Sequence, residues 1–179
     1  MKPVQFEAHG PFEVSYEGDG KRTTFRPSAA LSESKEFTTC RGVYIFAVKR
    51  GRALLPFYVG ETSRPFKDEV FEPHKVAHYH TALGNTKRWK ASLFLIVQPK
   101  SKKPDVKFIR DIENFLIRVA WQRNPGLCNI KGLPEPKWEI PGVTSPGTKK
   151  ASQSARVLRK ALGMTGPQVH AGLRAPKKG

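Results

Sequence analysis

Residues 42–60 have the sequence GVYIFAVKRGRALLPFYVG. Residues 42–48 and 56–60 are runs of β-branched and aromatic residues, which are the types enriched in strands. Between them lies the segment Lys49-Arg50-Gly51-Arg52, whose glycine and charges favour a turn. The stretch therefore predicts two antiparallel strands joined as a hairpin.

Three segments after the hairpin have equally clear patterns. Residues 64–83 mix apolar and charged positions and predict a helix that is broken near Pro73. Residues 91–98 (ASLFLIVQ) predict a third strand with both faces buried. A helix is predicted from Asp105, a residue type that caps helix N-termini, to about Gln122. These elements predict an α+β fold, an α/β sandwich in which a small, mainly antiparallel three-stranded sheet is flanked by helices.

The chain has three parts of different composition. Residues 1–40 alternate apolar and polar side chains between glycines and prolines, and predict an N-terminal β extension. Residues 41–132 hold the hairpin and the segments that follow it, and form the predicted main domain. Residues 133–179 are rich in proline and glycine and predict a basic, irregular tail, with one short helix at 152–162.

Charge is spread unevenly along the 179 residues, whose formal net charge is +17. Residues 1–40 carry −1, residues 41–132 carry +11 and residues 133–179 carry +7. Such an excess favours a polyanionic partner, with nucleic acid (DNA or RNA) ahead of an anionic membrane surface. No membrane partner is expected, because the basic residues do not form one amphipathic helix and no apolar run is long enough to cross a bilayer. The absence of a signal-peptide pattern and the presence of only Cys40 and Cys128 suit a reducing cytoplasm, with a nucleoid-associated position if the protein is bacterial.

One acidic residue, Glu113, has an unusual position in the predicted helix. On a wheel of about 100° per residue with Ile112 at zero, Glu113 falls near 100°, inside an apolar arc from about −60° to about 140°. An ionised carboxylate on a buried face is costly unless it is paired or binds a metal. The position therefore predicts either a structural ion pair at the rim of the arc or a functional carboxylate. The arc contains Val106, Phe108, Ile109, Phe115, Leu116, Ile117, Val119 and Ala120.

Four landmarks in chain order resemble those of the GIY-YIG nuclease superfamily. They are Gly42-Val43-Tyr44, Tyr58-Val59-Gly60, Glu113-Asn114-Phe115-Leu116-Ile117 and, after Pro125, Asn129. The resemblance covers residues 41–131, about half of the chain. It implies a metal-dependent endonuclease that hydrolyses phosphodiester bonds in DNA, with one active site per chain. A single site nicks one strand, and the protein is expected to be a monomer or a weak homodimer.

The resemblance also implies a role for each matching residue. Glu113 would hold one divalent cation, Mg²⁺ or Mn²⁺, which prefers one or two carboxylates together with water and phosphate oxygens. Tyr44 or Tyr58 would align or deprotonate the attacking water, and the sequence leaves open which of the two. Gly60 would let the backbone approach the substrate closely, and Asn129 would support the site.

One family feature is missing from the sequence. The family's helix arginine, which stabilises the scissile phosphate, falls here on Asp68 or Glu69. Glu69 would then be a second carboxylate of the site or an orienting partner. The loss keeps open an alternative function, a catalytically inactive nucleic-acid-binding protein on the same fold. Of the cations that could reach the phosphate instead, His74 and Lys75 are favoured. The full set is Arg64, Lys67, His74 and Lys75.

Basic residues outside the landmarks extend the expected nucleic-acid surface. Lys87, Arg88 and Trp89 combine cations with an aromatic ring and could pair phosphate contacts with base stacking. The stretch from Lys149 to Lys178 adds further charge and predicts non-specific affinity for DNA.

Overall fold

The computed structural model describes residues 4–17, 24–84, 89–98, 105–129 and 152–161. The chain divides into two compact units, Met1–Ile130 and Lys131–Gly179. In the second unit the structure describes a helix at Gln153–Ala161, where the sequence predicts one at 152–162. The strands and helices named below all belong to the first unit.

An antiparallel sheet forms the centre of the first unit, with five strands in the described part of the chain. The α+β class is confirmed. The spatial order of the strands is β2-β1-β5-β3-β4. The strands are β1 (Glu7–Glu17), β2 (Thr24–Pro27), β3 (Gly42–Arg50), β4 (Ala53–Thr62) and β5 (Lys90–Val97). The helices are α1 (Ala29–Ser32), α2 (Lys35–Thr39), α3 (Pro73–Leu83) and α4 (Val106–Arg123), with a single 3₁₀ turn at Phe66–Asp68.

The predicted three-stranded sheet is wrong, because the N-terminal strands are part of the same sheet. β1 lies between β2 and β5, with Val14 opposite Ala91 and Phe12 opposite Leu93. This pairing joins segments that are far apart in the chain, and local periodicity does not reveal which distant strand is a partner. The predicted β character of the N-terminal segment is itself confirmed. Two short helices, α1 and α2, follow it where the sequence predicts only β structure.

The predicted hairpin is confirmed as β3 and β4. Tyr44 lies opposite Gly60 and Phe46 lies opposite Tyr58. The register then shifts, so that Phe57 is an extra residue at a β-bulge. β4 is an edge strand of the described sheet, and an edge position tolerates the proline that it contains at residue 56.

The predicted helix at 64–83 is divided into two pieces. The 3₁₀ turn comes first, and α3 begins at Pro73, since proline suits the first turn of a helix but not its interior. Tyr79 of α3 stacks on Phe46 of β3 with ring centroids 4.1 Å apart. α3 thereby covers the face of the sheet that carries the buried aromatic core.

α4 covers the other side of the hairpin. It packs along β4 and more lightly on β3, with buried residues that include Ile109, Ile117 and Trp121. Because side chains alternate along a strand, Val43 and Val59 point away from the aromatic core and toward this second layer. The edge strand β4 is therefore held between α3 and α4.

Candidate active site

Tyr44 and Tyr58 lie side by side on the buried face of the hairpin. Their ring centroids are 6.1 Å apart and the ring planes are inclined by 22°. Gly60, directly opposite Tyr44, makes room for this arrangement. A Cβ at Gly60 would lie 2.5 Å from Cζ and 2.6 Å from the hydroxyl oxygen of Tyr44. Glycine is thus required here by packing, because any side chain would displace the tyrosine.

The two phenols have different electrostatic surroundings. Burial raises the pKa of Tyr44 well above its usual value, and the neighbouring phenols of Tyr79 and Tyr58 raise it further. The Tyr44 hydroxyl has no hydrogen-bond partner of ordinary geometry among the described residues. Burial also raises the pKa of Tyr58 overall, but the nearby charge of Lys75 acts in the opposite direction. The ionised form is therefore more accessible at Tyr58 than at Tyr44.

Lys75 is the cation that lies against both tyrosines. It belongs to the first turn of α3, and its side chain is only 11% exposed. Its ammonium nitrogen is 6.0 Å from the ring centroid of Tyr44 and 5.9 Å from that of Tyr58. Burial alone would lower the pKa of Lys75, but the Glu69 carboxylate, 2.8 Å away, raises it overall. Lys75 is therefore protonated at neutral pH.

Glu69 connects Lys75 to an arginine at the surface. The guanidinium of Arg64 is 2.5 Å from one carboxylate oxygen of Glu69 and 2.7 Å from one of Glu72. Burial tends to raise the pKa of Glu69, but Lys75 and Arg64 lower it overall. Glu69 is thus ionised and orients Lys75. Glu69, Glu72 and His74 also lie close enough to share a metal ion, although Arg64 already contacts both carboxylates.

The other cations considered for the phosphate lie outside the tyrosine cluster. His74 is exposed, with its Nδ1 3.7 Å from a carboxylate oxygen of Glu72. Lys67 is exposed on the 3₁₀ turn, and Arg64 is engaged by two carboxylates. Of the four, Lys75 is the one that the fold brings to the tyrosines.

The face of α4 that packs on the sheet differs from the predicted arc. Its buried residues fall between about 60° and about 180° on the same wheel. Glu113, near 100°, is at the centre of this face rather than at its rim. The sequence pattern also placed the side of the helix between about −60° and 0° in the core. That prediction is wrong, because Phe108, Phe115 and Val119 are exposed. The buried residues of α4 are Ile109, Ile117, Ala120 and Trp121.

Glu113 is half-buried beside a second carboxylate, Glu61. Burial and the charge of Glu61 raise the pKa of Glu113 to about 7, although Lys75 and Arg110 act in the opposite direction. The backbone of Glu61 also acts to lower the pKa of Glu113, and the Glu61 side chain is 3.5 Å from Nε of Arg110. Glu113 is also close enough to Tyr58 to raise its pKa. Carboxylate, lysine and phenol therefore form one electrostatically coupled cluster.

The sequence prediction missed Glu61, although the strand pattern contains a signal for it. Tyr58 and Gly60 face the aromatic core, so the alternate positions Val59 and Glu61 face α4. A cleft of about 230 Å³ opens beside Glu61, between the end of β4 and the start of α4. Its polar lining includes Glu61, Thr62, Arg64, Glu69 and Arg110.

The residues of this cluster fit a hard divalent cation. Carboxylate oxygens are the ligands that Mg²⁺ and Mn²⁺ prefer. Glu113 and Glu61 repel each other when both are ionised, as the raised pKa of Glu113 indicates, and a cation between them would relieve the repulsion. Glu113 is the candidate main ligand, and Glu61 offers a second oxygen donor.

Asn129 holds the backbone of Val59, the middle residue of the second landmark. Its Oδ1 accepts the Val59 N–H at 3.0 Å, and its Nδ2 donates to the Val59 carbonyl. Asn124 and Cys128 add hydrogen bonds to backbone carbonyls of the same strand. The segment 124–129 thus covers the outer edge of β4, and Asn129 supports the site through the backbone.

Trp89 lies away from the tyrosines. Its ring centroid is 3.7 Å from Cζ of Arg50, the last residue of β3. Tyr44 is six positions earlier on the same strand, so about 20 Å separates the two residues. In this structure Trp89 packs on an arginine rather than beside the candidate site. Lys87 and Arg88 lie outside the described residues.

No protein-family model, curated protein or solved structure matches the chain. None of the helices that the structure describes combines the length and apolarity needed to span a membrane. The class of the site is therefore inferred from its chemistry, which consists of stacked tyrosines, a buried lysine and a carboxylate pair suited to a metal.

Proposed function

We propose that the protein is a divalent-metal-dependent endonuclease of the GIY-YIG type that hydrolyses phosphodiester bonds in DNA. The observation that carries the proposal is the position of Glu113 at the centre of the buried face of α4, coupled to Lys75 and Tyr58. A buried carboxylate is costly without a matched cation, and a divalent ion shared with a phosphate would balance it. The net charge of +11 on residues 41–132 supports a nucleic-acid substrate.

Each residue of the cluster has a distinct role in the proposed reaction. Tyr58 acts as the base after it has lost its own proton, so that its phenolate oxygen can take one from the attacking water. Tyr58 suits this role better than Tyr44, because the charge of Lys75 lowers the pKa of Tyr58 in part and does not act on Tyr44. Tyr44 offers its unpartnered hydroxyl to the water or the phosphate. Mg²⁺ or Mn²⁺ bound at Glu113 would supply Lewis-acid stabilisation of the leaving oxygen.

Lys75 takes the place of the family's helix arginine in this proposal. Its buried ammonium neutralises charge that develops on the phosphate, and Glu69 positions it at 2.8 Å. A lysine offers a point charge rather than the two-pronged guanidinium contact. The substitution therefore keeps the charge but gives up part of the geometric fit to the phosphate.

Nicking of supercoiled plasmid in Mg²⁺ tests the proposal. The wild-type protein is expected to produce open circles, and chelation by EDTA is expected to stop the reaction. Glu113→Gln should be slower by more than about 100-fold, since metal stabilisation of the transition state supplies several kcal/mol. Asp68→Asn removes an exposed carboxylate and is the matched control. Equal cleavage by wild type and Glu113→Gln would overturn the proposal.

A second candidate function is nucleic-acid binding without catalysis. The contact between Lys75 and Glu69 favours it, because the carboxylate at 2.8 Å offsets part of the positive charge that the phosphate requires. This candidate predicts salt-sensitive binding of DNA or RNA that is unchanged by EDTA. It also predicts no nicking of supercoiled, branched or damaged DNA.

A further inference from the structure

The outward side of α4 carries an apolar stripe. The exposed fractions are 41% for Phe108, 64% for Phe115 and 45% for Val119, and Ile112 between them is partly exposed. These four residues follow the spacing i, i+4, i+7, i+11, which places them in one line on a helix. The same spacing forms the seam of two-stranded helix pairs.

The stripe does not belong to the core of the first unit. Its four members lie between about −60° and 0° on the helix wheel, whereas the buried face lies between about 60° and about 180°. Glu113 and the candidate site are on the buried side. The stripe can therefore be covered by another helix without obstructing the packing of α4 on β4.

The stripe is complementary to itself in an antiparallel arrangement. When two copies of α4 are aligned in opposite directions about the midpoint between residues 113 and 114, Phe108 meets the partner's Val119. In the same alignment Ile112 meets the partner's Phe115. A large residue faces a smaller one in both layers, which suits interdigitation of side chains.

The charges beside the stripe match in the same alignment. Asp111 and Arg118 flank one side of the stripe, both are exposed, and neither forms an ion pair with another described residue. Antiparallel pairing brings Asp111 beside the partner's Arg118, and the twofold axis repeats this contact. A parallel arrangement would instead place this side of the stripe against the opposite side of the partner's stripe, so that neither charge would meet its counterpart.

We propose that two copies of the chain associate through α4, antiparallel, with the stripes of residues 108–119 in contact. The interface is small, because four half-exposed phenylalanine rings cover only on the order of 400 Å². Stable complexes bury about 1,200–2,000 Å², so the dimer forms only at high local concentration, such as on a shared DNA. The inference does not depend on the proposed catalytic activity.

Sedimentation of the 179-residue chain from about 1 µM to about 1 mM tests the proposal. Wild type is expected to show a concentration-dependent monomer–dimer equilibrium. Phe115→Glu should raise the dissociation constant by more than about tenfold, since it places a charge in the seam. Circular dichroism checks that this variant is folded. A wild-type protein that stays monomeric throughout, or a Phe115→Glu variant that dimerises equally well, overturns the proposal.

A charge-exchange experiment tests the antiparallel direction without touching the apolar seam. Asp111→Arg and Arg118→Asp should each weaken self-association, because each creates two like-charge contacts. An equimolar mixture of these two variants should associate at least as well as wild type, since both contacts then join opposite charges. The double variant should also recover wild-type association. A mixture that associates no better than either variant alone overturns the antiparallel arrangement.

Discussion

Tyr44 and Tyr58 show at the residue scale how two similar side chains acquire different chemistry. Both are buried on adjacent strands, and their rings are 6.1 Å apart. Burial raises the pKa of both phenols, but the charge of Lys75 acts to lower it only at Tyr58. The family resemblance alone left the two tyrosines equivalent, and the position of one lysine distinguishes them.

Tyr58→Phe is expected to slow nicking much more than Tyr44→Phe. Both changes remove only a hydroxyl, so packing is little altered, but only Tyr58 has the partner that a proton acceptor needs. A general base contributes about 10²–10⁴-fold, and this is the loss expected for Tyr58→Phe. Single-turnover nicking rates of the two variants provide the measurement. A larger loss for Tyr44→Phe would assign the base to that residue instead.

Glu113→Gln is expected to stabilise the metal-free protein at high pH but not at low pH. The pKa of Glu113 is raised to about 7 in the folded protein by burial and by Glu61, against about 4.3 in an unfolded chain. Between these values the folded state holds a proton that the unfolded state has released, so wild-type stability falls as pH rises. The full shift corresponds to at most about 4 kcal/mol, and solvent screening reduces the expected difference to about 1–2 kcal/mol.

Urea denaturation in EDTA provides the measurement for Glu113→Gln. The free energy of unfolding of the variant should exceed that of wild type near pH 8 and equal it near pH 4. For Asp68→Asn, at an exposed carboxylate, the difference in unfolding free energy from wild type should not increase with pH. A difference that is the same at both pH values would contradict the assigned protonation.

Gly60→Ala is expected to destabilise the protein by about 1–3 kcal/mol, because the added Cβ would overlap the Tyr44 ring. The nearest ring atom would be 2.5 Å away in a fully buried layer. Gly126→Ala is the matched control, since its Cβ would approach nothing closer than the side-chain oxygen of Asn124 at 3.2 Å. Thermal or urea unfolding of both variants compares them. Equal stability of the two would show that Tyr44 can move at little cost.

At the scale of secondary-structure elements, sequence patterns predict which segments form strands and helices but not which face of a helix is buried. The hairpin was predictable because β-branched and aromatic runs flank a glycine turn, and α4 was predictable because Asp105 caps a long periodic segment. The buried face of α4 could not be predicted, because the apolar residues of this helix extend around more than half of its circumference. Only the tertiary structure shows that the Phe115 side faces outward and that Glu113 lies at the centre of the packed side.

The candidate site was predictable to a similar extent. Tyr44, Tyr58 and Glu113 were identified from the landmark residues, and the fold brings them into one coupled cluster. The choice of Lys75 over His74 could not be made, because adjacent residues on a helix differ by about 100° in direction. Glu61 was missed because its importance depends on the packing of α4 against β4.

Asn129→Ala is expected to loosen the outer edge of β4. The change removes both hydrogen bonds to the backbone of Val59 and leaves a buried N–H without its partner, at a cost of about 1–3 kcal/mol. Amide hydrogen exchange should become faster at Val59, while the amide of Val43 on the inner strand should be unaffected. Unchanged exchange at Val59 would show that water replaces the side chain at no cost.

Across the whole molecule, most of the positive charge comes from residues outside the candidate active site. Residues 41–132 carry +11 and residues 133–179 carry +7, but the cluster around Glu113 contains carboxylates that are individually unfavourable for DNA. Affinity for the polyanion should therefore come from many dispersed cations rather than from the site itself. Removal of the site carboxylate and removal of the tail should accordingly have different effects on binding.

We expect DNA affinity to fall steeply with salt, and the tail to account for part of the slope. The logarithm of the association constant should fall with the logarithm of salt concentration by about 0.9 for each phosphate that is neutralised. A chain that ends at residue 132 loses the +7 of residues 133–179, so its slope should be smaller by about 2–4. Glu113→Gln should leave the slope unchanged, because Glu113 contributes no cation.

Fluorescence anisotropy with a labelled duplex between about 50 mM and about 300 mM KCl measures these slopes. EDTA in the buffer prevents cleavage during the titration. Equal slopes for the 179-residue chain and the shortened chain would show that the tail does not contact phosphate. In that case the cations of residues 1–132 would carry all of the binding, and most of these cations belong to residues 41–132.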